Sequence, residues 1–445
     1  MQRELSRTLS ATDLTILVVG SVIGSGIFLV PGPVLAQSGG SVEIALAVWL
    51  IGGLLSLMGA LAYGELGAMN PHAGGLYAYL RDAFGPFTAF LYGWTLFFVI
   101  GSGTVATLAV AAGDYLQQFL TLSPFARKAF AIGLIAAIVA VNVIGTRAGV
   151  RTLNASTAIK VGAILLMGIA LLWLGQGTTV VTTTTTSTAA ATSGFHWAGI
   201  GLSMVAVLWA YEGWQYATFV AGETRDPQRS VPRALAAGTL CLVVLYVLAN
   251  LGYLAALGPE RMAQSERVAS EAVGSVLGPV AGAAVAVVII IAMASAAHGS
   301  IMTAARVYFA MARDGLFFRR LGDVHPRFGT PAVAVMASGA WSAVLAATGT
   351  FEQLLTYVVF IGWMFYALGA AAVIALRLQR PEAPRPFKVP GYPWTPLLFI
   401  LAAVGIVAST IIAEPLQSAL GIGMVLLGAP AFVLWRRQRT AAAGS

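Results

Sequence analysis

Residues 16–33, ILVVGSVIGSGIFLVPGP, are apolar enough to lie in a lipid bilayer, yet Gly24-Ser25-Gly26 interrupts them near the middle. A helix broken inside a membrane frees backbone groups that lipid cannot bind, so a break occurs only where protein or a cavity supplies partners. A second break is predicted in residues 204–215, MVAVLWAYEGWQ. Paired broken helices in the two halves of a chain predict a transporter whose substrate lies between them.

The composition places the whole chain in a membrane. Of its 445 residues, 58% are hydrophobic and 9% are charged, and its mean hydropathy is +0.84, whereas soluble domains carry about 25% charged residues. One transmembrane domain is therefore expected over residues 1–445. At about 20 residues per crossing, the all-α polytopic fold is predicted to have twelve helices, near residues 12–37, 43–69, 86–119, 127–147, 152–175, 197–222, 231–257, 275–312, 331–349, 352–378, 396–414 and 416–435.

The basic residues predict the orientation of the chain. With the N-terminus inside, four of the 25 Lys and Arg residues fall in outer loops, one lies within a span, and the other 20 are in inner loops. This asymmetry predicts a multi-pass protein of the cell inner membrane with both termini cytoplasmic. The scattered charges suit contact with membrane lipids, and they do not form the clustered basic face that a nucleic-acid partner needs.

The two breaks divide the chain into two units of five helices, about residues 12–175 and 197–378. Because five is odd, the second unit begins on the opposite side of the membrane, which makes an inverted repeat that permits alternating access. The last two helices, about residues 396–435, fall outside the repeat. The threonine-rich segment 178–194 is expected to be a flexible outer connector.

The two breaks suit the two poles of an amino acid. At the first break, the N–H groups and positive dipole of the following half-helix favour an anion such as a carboxylate. At the second, exposed carbonyls would attract a cation such as an ammonium group. The alternative for the first break is close helix packing through small residues, which is common in membranes.

Two ionisable residues stand inside predicted spans. Glu212 costs about 3 kcal/mol near mid-membrane on insertion scales, so we expect either a role with the substrate or a proton, or a structural pairing. Lys160 either extends back to the membrane surface or lies in the helix bundle, where its charge would disfavour a sodium ion. Trp209, just before the second break, is expected either to cover the substrate or simply to pack. His298 either packs or titrates near neutral pH.

Signals for other chemistry are missing from the sequence. There is no nucleotide-binding glycine loop, no HExxH and no CxxCH, and the four histidines are dispersed without the spacing of metal ligands. The single cysteine, Cys241, permits no internal disulfide or cysteine-based metal site and is expected to be a small packing residue. We therefore expect no enzyme activity, no cofactor and no metal.

Four stretches resemble a known family. GSGIF at residues 24–28 resembles the first-helix signature of the amino acid–polyamine–organocation superfamily, and AYEGWQYATFVAGETRDPQRSVPR at 210–233 is similar to the sixth-helix signature of its L-type amino-acid transporter branch. AYLRDAFGP at 78–86 and RPFKVPGYP at 385–393 match the same branch. The resemblance implies a five-plus-five inverted-repeat (LeuT-like) fold of twelve helices and sodium-independent amino-acid transport, typically by exchange.

The resemblance also implies site residues. Backbone donors at Gly24, Ser25 and Gly26, with Ile27 beside them, would bind the substrate carboxylate, and carbonyls at Trp209, Ala210 and Glu212, with the adjoining Gly213, would face its amino group. Trp209 would be the aromatic gate, Lys160 the family's fifth-helix lysine, and Gly362, with Trp363 next to it, would lie near the side-chain pocket.

This chain departs from the family pattern at Glu212, where several relatives have a small or apolar residue. The acid would favour a polar or cationic side chain, or a proton. The loop between spans three and four has no cysteine, so no covalent heavy-chain partner is implied. Proton-coupled symport is the main alternative to exchange. A non-transporting amino-acid receptor is a third reading.

Overall fold

The computed structural model describes residues 7–175 and 197–443, which form helices joined by loops, with no β-strand among them; the threonine-rich segment 178–194 lies outside them. A π-helical turn, Leu96–Ile100, joins the helices Pro86–Thr95 and Gly101–Leu116, and 3₁₀ turns occupy Ala221–Glu223 and Arg319–Gly322. The helices are α1 (Ala11–Val22), α2 (Gly26–Leu29), α3 (Pro31–Gln37), α4 (Val42–Met69), α5 (Leu76–Phe84), α6 (Pro86–Thr95), α7 (Gly101–Leu116), α8 (Pro124–Ile144), α9 (Thr146–Leu174), α10 (Trp197–Ala210), α11 (Tyr216–Phe219), α12 (Pro227–Gln264), α13 (Val268–Leu277), α14 (Pro279–Arg313), α15 (Ala332–Thr348), α16 (Phe351–Gln379), α17 (Trp394–Ala413), α18 (Pro415–Leu426) and α19 (Gly428–Ala443).

Ten helical stretches of the described chain are long and apolar enough to cross a membrane. Two of the twelve predicted spans, the sixth and the ninth, correspond to the shorter apolar helices Gly199–Ala210 and Ala332–Thr348. The prediction of a polytopic all-helical membrane protein is therefore confirmed by length and composition. The ten stretches are Ala11–Leu29, Val42–Met69, Pro86–Leu116, Pro124–Ile144, Gly149–Leu174, Pro227–Gln264, Pro279–Arg313, Phe351–Gln379, Trp394–Ala413 and Pro415–Arg436.

Glycine sets the boundaries of the predicted seventh and eighth spans, one as expected and one not. The eighth span was expected at 275–312, but Gly278 adopts a φ of +89° and separates the short helix α13 from α14. The seventh was expected to end at 257. It does end there, because Gly258, with a φ of +72°, is non-helical and separates the span from the short helical stretch that continues to Gln264. Positive φ is a conformation that glycine adopts without steric cost.

The start of α1 is fixed by its first turn. Ser10 and Asp13 form a capping box, in which each side chain accepts a hydrogen bond from the backbone N–H of the other residue. Asp13 also accepts a hydrogen bond of 3.0 Å from Asn154 of α9. Because the box satisfies N–H groups that a helix start leaves free, α1 enters the bundle at a defined place and is tied there to α9.

The bundle is closed at the end that carries the N-terminal segment. The backbone N–H groups of Thr8 and Leu9 donate to the carbonyl of Glu223 at 2.8 and 2.9 Å. The Glu223 carboxylate accepts from Arg306 of α14 at 2.7 Å, and both side chains are buried. One residue of the sixth-span region therefore joins the N-terminal segment to α14.

A second ion pair lies at the same end, between α5 and the end of α14. Arg81 Nη1 lies 2.5 Å from Asp314 Oδ2, which also accepts a hydrogen bond of 2.8 Å from Tyr77. Burial alone lowers the pKa of the Arg81 guanidinium, but the hydrogen bond and charge of Asp314 outweigh it and raise that pKa. Arg81 therefore stays charged and ties α5 to the end of α14.

Candidate substrate-binding site

The first broken helix stops at Val22 and resumes at Gly26. Among the described residues, no hydrogen bond uses the backbone N–H groups of Gly24, Ser25, Gly26 or Ile27. These four donors open the short helix α2, where the first turn leaves N–H groups without an intrahelical acceptor. The break therefore presents a set of free N–H groups in the middle of the bundle.

The second broken helix stops at Ala210 and resumes at Tyr216. Between them Gly213 has a φ of +119°, and a Cβ atom there would lie 3.0 Å from the carbonyl oxygen of Ser21. Glycine is needed here both for the backbone conformation and for the close approach of the two breaks. The loop of the second break thus rests directly on the end of α1.

Both breaks line one cavity. Gly24, Ser25 and Gly26 form one wall, Trp209 and Glu212 form another, and the rest comes from Thr104, Leu108 and Ala296 on α7 and α14, with Ser21 and Val22 at the end of α1. The backbones touch beside the cavity, because a Cβ atom on Gly26 would lie 2.4 Å from Ala210 Cα. The predicted convergence of the two breaks is therefore present in the structure.

The cavity is nearly filled by its own walls. Its volume is only about 10 Å³, which is room for about one water molecule. The indole Nε1 of Trp209 donates to Ser25 Oγ at 3.1 Å and so closes the space between the breaks. A substrate would therefore have to displace Trp209 from Ser25.

Lys160 lies in the centre of the bundle and does not extend to the membrane surface. Its side chain is fully buried, and Nζ donates to the carbonyl oxygens of Gly20 at 2.6 Å and Ile23 at 3.0 Å. Gly20 belongs to the last turn of α1 and Ile23 directly follows the helix, where C=O groups are left without partners and the macrodipole is negative. The ammonium group satisfies both and holds α9 against the first break.

Tyr246 of α12, which the sequence analysis did not single out, binds both breaks. Its hydroxyl lies 3.0 Å from the carbonyl oxygen of Ala210 and 3.3 Å from that of Val22. It is completely buried between the two half-helix ends. A tyrosine in the apolar stretch LYVLAN gave no periodic signal, but its polar hydroxyl in mid-membrane could have marked it.

Glu212 belongs to a buried polar cluster on the far side of the cavity. Its Oε1 atom accepts hydrogen bonds from the hydroxyl of Tyr366 at 2.5 Å and from Gln215 Nε2 at 2.7 Å. The same Gln215 nitrogen lies 2.7 Å from the Tyr366 hydroxyl. No hydrogen bond to Glu212 Oε2 exists in the described chain, so one carboxylate oxygen is available to a ligand.

A wider cavity, which we call the vestibule, lies beyond Trp209 on the side away from the N-terminal segment. Its volume is about 660 Å³. The ring of Phe351 packs edge-on against Trp209, with 6.4 Å between ring centroids, and lines the vestibule. Trp209 and Phe351 therefore separate the site from the vestibule. Among the other residues that line it are Tyr115, Arg127, Glu266, Arg267 and Leu355.

The remaining sequence candidates lie away from the cavity walls. Ile27 is buried beside the first break but does not line the cavity, and Gly362 and Trp363 do not reach it from α16. His298 lies between helices: its Nε2 is 2.9 Å from the Gly149 carbonyl and its Nδ1 is 2.9 Å from Asn142 Nδ2. A carbonyl accepts and an amide nitrogen donates, so these partners fix a neutral imidazole with the proton on Nε2.

No group of three or more His, Cys, Asp and Glu side chains in the described residues is arranged to hold a metal ion. Cys241 is partly buried and has a free thiol. The site therefore offers backbone N–H and C=O groups of the two breaks, three hydroxyl groups, the Glu212 carboxylate and the Trp209 indole, with the Lys160 ammonium behind the first break. Such a set can bind a zwitterion through both of its poles.

Comparison with known proteins agrees with this chemistry. The family model described as amino acid permease matches residues 9–431. The chain is 31% identical over 429 residues to the serine/threonine exchanger SteT of Bacillus subtilis (strain 168), covering 95% of each chain. It is 31% identical to the b(0,+)-type amino acid transporter 1 of Mus musculus, covering 90% of this chain and 81% of the relative. It is also 31% identical to the large neutral amino acids transporter small subunit 2 of Homo sapiens, covering 94% and 78%.

Proposed function

Because the chain belongs to the amino acid permease family, we propose that it is a sodium-independent amino-acid transporter that exchanges one L-amino acid for another. The observation that carries this proposal is the single cavity between the two helix breaks. The relatives named above include an exchanger of serine and threonine and two amino-acid transporters. Exchange is favoured over the two alternatives, proton symport and a receptor without transport.

In the proposed binding mode, the substrate carboxylate takes the free N–H groups of Gly24, Ser25 and Gly26. Those donors and the N-terminal dipole of α2 give an anion site without a charged side chain. The ammonium group takes the carbonyl ends of α1 and α10, which carry partial negative charge. The Trp209 ring turns away from Ser25 to admit the substrate and closes over it.

Lys160 gives a physical basis for sodium independence. The carbonyl oxygens of Gly20 and Ile23 are hard ligands of the kind that bind a sodium ion, and the Lys160 ammonium already occupies them. A second cation at the same oxygens would meet a fixed positive charge in a medium of low dielectric constant. Transport therefore proceeds without a sodium ion at this position.

The finer architecture is part of the same proposal. The chain has twelve spans, made of the ten long helical stretches and the two shorter helices α10 and α15, arranged as an inverted repeat of 12–175 and 197–378 with two further helices. It lies in the cell inner membrane with both termini cytoplasmic, as the basic residues favour. It works without a covalently linked heavy chain, and its gate is Trp209.

The test uses purified protein in liposomes. Labelled L-serine, L-leucine and L-arginine are offered in turn to liposomes that are empty or preloaded with the same unlabelled amino acid. We expect uptake only into preloaded liposomes, at the same rate in sodium and potassium buffers and with or without a pH gradient. Uptake into empty liposomes that depends on an inward proton gradient would establish symport instead.

A receptor is distinguished by the same assay together with a binding measurement. A receptor would bind a labelled amino acid in detergent but would show no uptake under any loading condition. Once one substrate is found, competition by a panel of unlabelled amino acids ranks the side chains that the site accepts. That ranking gives the substrate range, which the pocket walls alone do not set.

A further inference from the structure

A second cavity, separate from the substrate site, lies between α7, α15, α16 and α18. Its volume is about 220 Å³, and it is lined by residues that include Val99, Leu345, Leu354, Tyr357, Leu420 and Met424. Among the described residues that line it, the hydroxyl of Tyr357 is the one polar side-chain group. A cavity of this kind cannot hold ordered water, because water needs several polar partners.

One backbone carbonyl at this cavity has a side-chain donor. The π-helical turn Leu96–Ile100 forms part of the wall through Phe98 and Val99. Trp341 Nε1 donates to the carbonyl of Phe98 at 2.8 Å. The wall therefore offers hydrocarbon and aromatic surface, and the space is larger than the roughly 150 Å³ apolar cavity that binds benzene in a soluble protein.

The rim of the cavity faces lipid. Leu420 of α18 is 55% exposed although it lies in a membrane-spanning stretch, and it lines the cavity. Leu345 and Leu354 lie near the ends of α15 and α16 that are also closest to the vestibule. The cavity thus opens toward the hydrocarbon region on the vestibule side, which is the outer leaflet in the proposed topology.

We propose that one acyl chain of an outer-leaflet phospholipid occupies this cavity and supports the outer half of α16. In that half, Leu354 and Tyr357 face the cavity, whereas Phe351 and Leu355 face the vestibule. An acyl chain fills the space with the dispersion contacts that an empty void would lose. In this proposal, the outer half of α16 moves into the vestibule and covers Trp209. The acyl chain has to move with this half-helix to keep the space behind it filled.

The occupant is tested first on the unaltered protein. The full chain is placed in nanodiscs of phosphatidylcholine with a dibrominated acyl chain, and its structure is determined beside that in unbrominated lipid. We expect excess bromine density between α16 and α18. Bromine no stronger there than along the lipid-exposed face of α17 would overturn the proposal, and this arm does not depend on transport.

The second test fills the cavity. Leu345→Trp places an indole in the space, and the matched control Val344→Trp places one on the adjacent position, which is 48% exposed and does not line the cavity. Native mass spectrometry in mild detergent is expected to find one retained phospholipid in the unaltered protein and in Val344→Trp, and none in Leu345→Trp. Equal phospholipid retention by the two variants would contradict the proposed lipid site.

The coupling to α16 has its own readout, which rests on the proposed function. We expect Leu345→Trp to lower the exchange rate severalfold while Val344→Trp does not. Loss of the bound lipid with an unchanged exchange rate would refute the coupling and leave the lipid site standing. Lipid retention with no exchange in any variant would refute the proposed function alone.

Discussion

The Nζ atom of Lys160 lies 2.6 Å from the carbonyl oxygen of Gly20, so the fifth-span helix α9 holds the end of the first half-helix through a buried charge. A second bond, to Ile23, completes the cap. An ammonium group buried without partners would be very costly, and here the carbonyl ends of α1 compensate it. The pair thus stabilises the break, and in the proposed function it leaves no place for a sodium ion at these two oxygens.

Lys160→Ala is predicted to abolish exchange or reduce it sharply. The substitution leaves two buried carbonyls without a donor, each costing about 1–3 kcal/mol, and it releases the end of α1 from α9. Exchange is measured in liposomes and normalised to the reconstituted protein. Ile159→Ala, at the neighbouring position that is 51% exposed, is the control and should retain nearly normal exchange; a Lys160→Ala variant with normal kinetics would remove the assignment.

Gly26→Ala is predicted to stop uptake. Its Cβ atom would lie 2.4 Å from Ala210 Cα, and since that neighbour is backbone, the two breaks would have to separate. Gly162→Ala is the matched control, because a Cβ atom there meets no heavy atom within 4 Å. The test is the initial uptake rate of each variant. Comparable rates would mean that the two breaks need not touch. Loss of uptake in Gly26→Ala alone would support the shared site.

Tyr246→Phe is predicted to weaken the apparent affinity for substrate about fivefold, which corresponds to a net hydrogen bond of about 1 kcal/mol. The hydroxyl holds the Ala210 and Val22 carbonyls that the substrate ammonium approaches. Tyr253→Phe serves as the control, since the Tyr253 hydroxyl is equally buried on the same helix and has no hydrogen-bond partner among the described residues. Identical concentration dependence of exchange for the two variants would show that Tyr246 has no role in positioning.

The sequence predicted the fold where a single residue type decides the local structure. Gly24, Gly26 and Gly213 marked both breaks, because lipid tolerates a freed backbone only beside protein or a cavity. Hydrophobic length located the long helices. It could not separate α13 from α14 within 275–312, since Gly278 alone carries no signal against the many glycines of membrane helices.

The sequence was enough to locate the two helix breaks of the site. It was not enough to predict the side-chain contacts that other helices make with those breaks. The sequence left two positions open for the Lys160 side chain, one inside the helix bundle and one extended to the membrane surface. The packing of α9 against α1 in the structure places it inside the bundle. Tyr246 and Tyr366 act through hydroxyls that come from other helices, so nothing in their local sequence points toward Ala210 or Glu212. Long-range pairs of this kind depend on how the helices pack, which periodicity does not report.

We predict that Glu212 influences which side chains the pocket accepts. Its Oε1 atom is held by Tyr366 and Gln215, and its second oxygen has no partner in the described chain. A cationic side chain entering from the cavity would therefore meet a positioned negative charge. Glu212→Gln keeps the shape and can still bond Tyr366, but it removes that charge.

We expect Glu212→Gln to weaken competition by L-arginine and L-lysine about tenfold or more, because a hydrogen bond to a charged group contributes about 1.5–3 kcal/mol. Competition by L-leucine, measured in the same liposomes, should change little. Tyr366→Phe is the control: it removes one donor to Glu212 and retains the carboxylate, so the relative rank of cationic over neutral amino acids should persist. If Glu212→Gln shifts both groups equally, the carboxylate does not face the substrate side chain, and its role is to hold α16 against the second break.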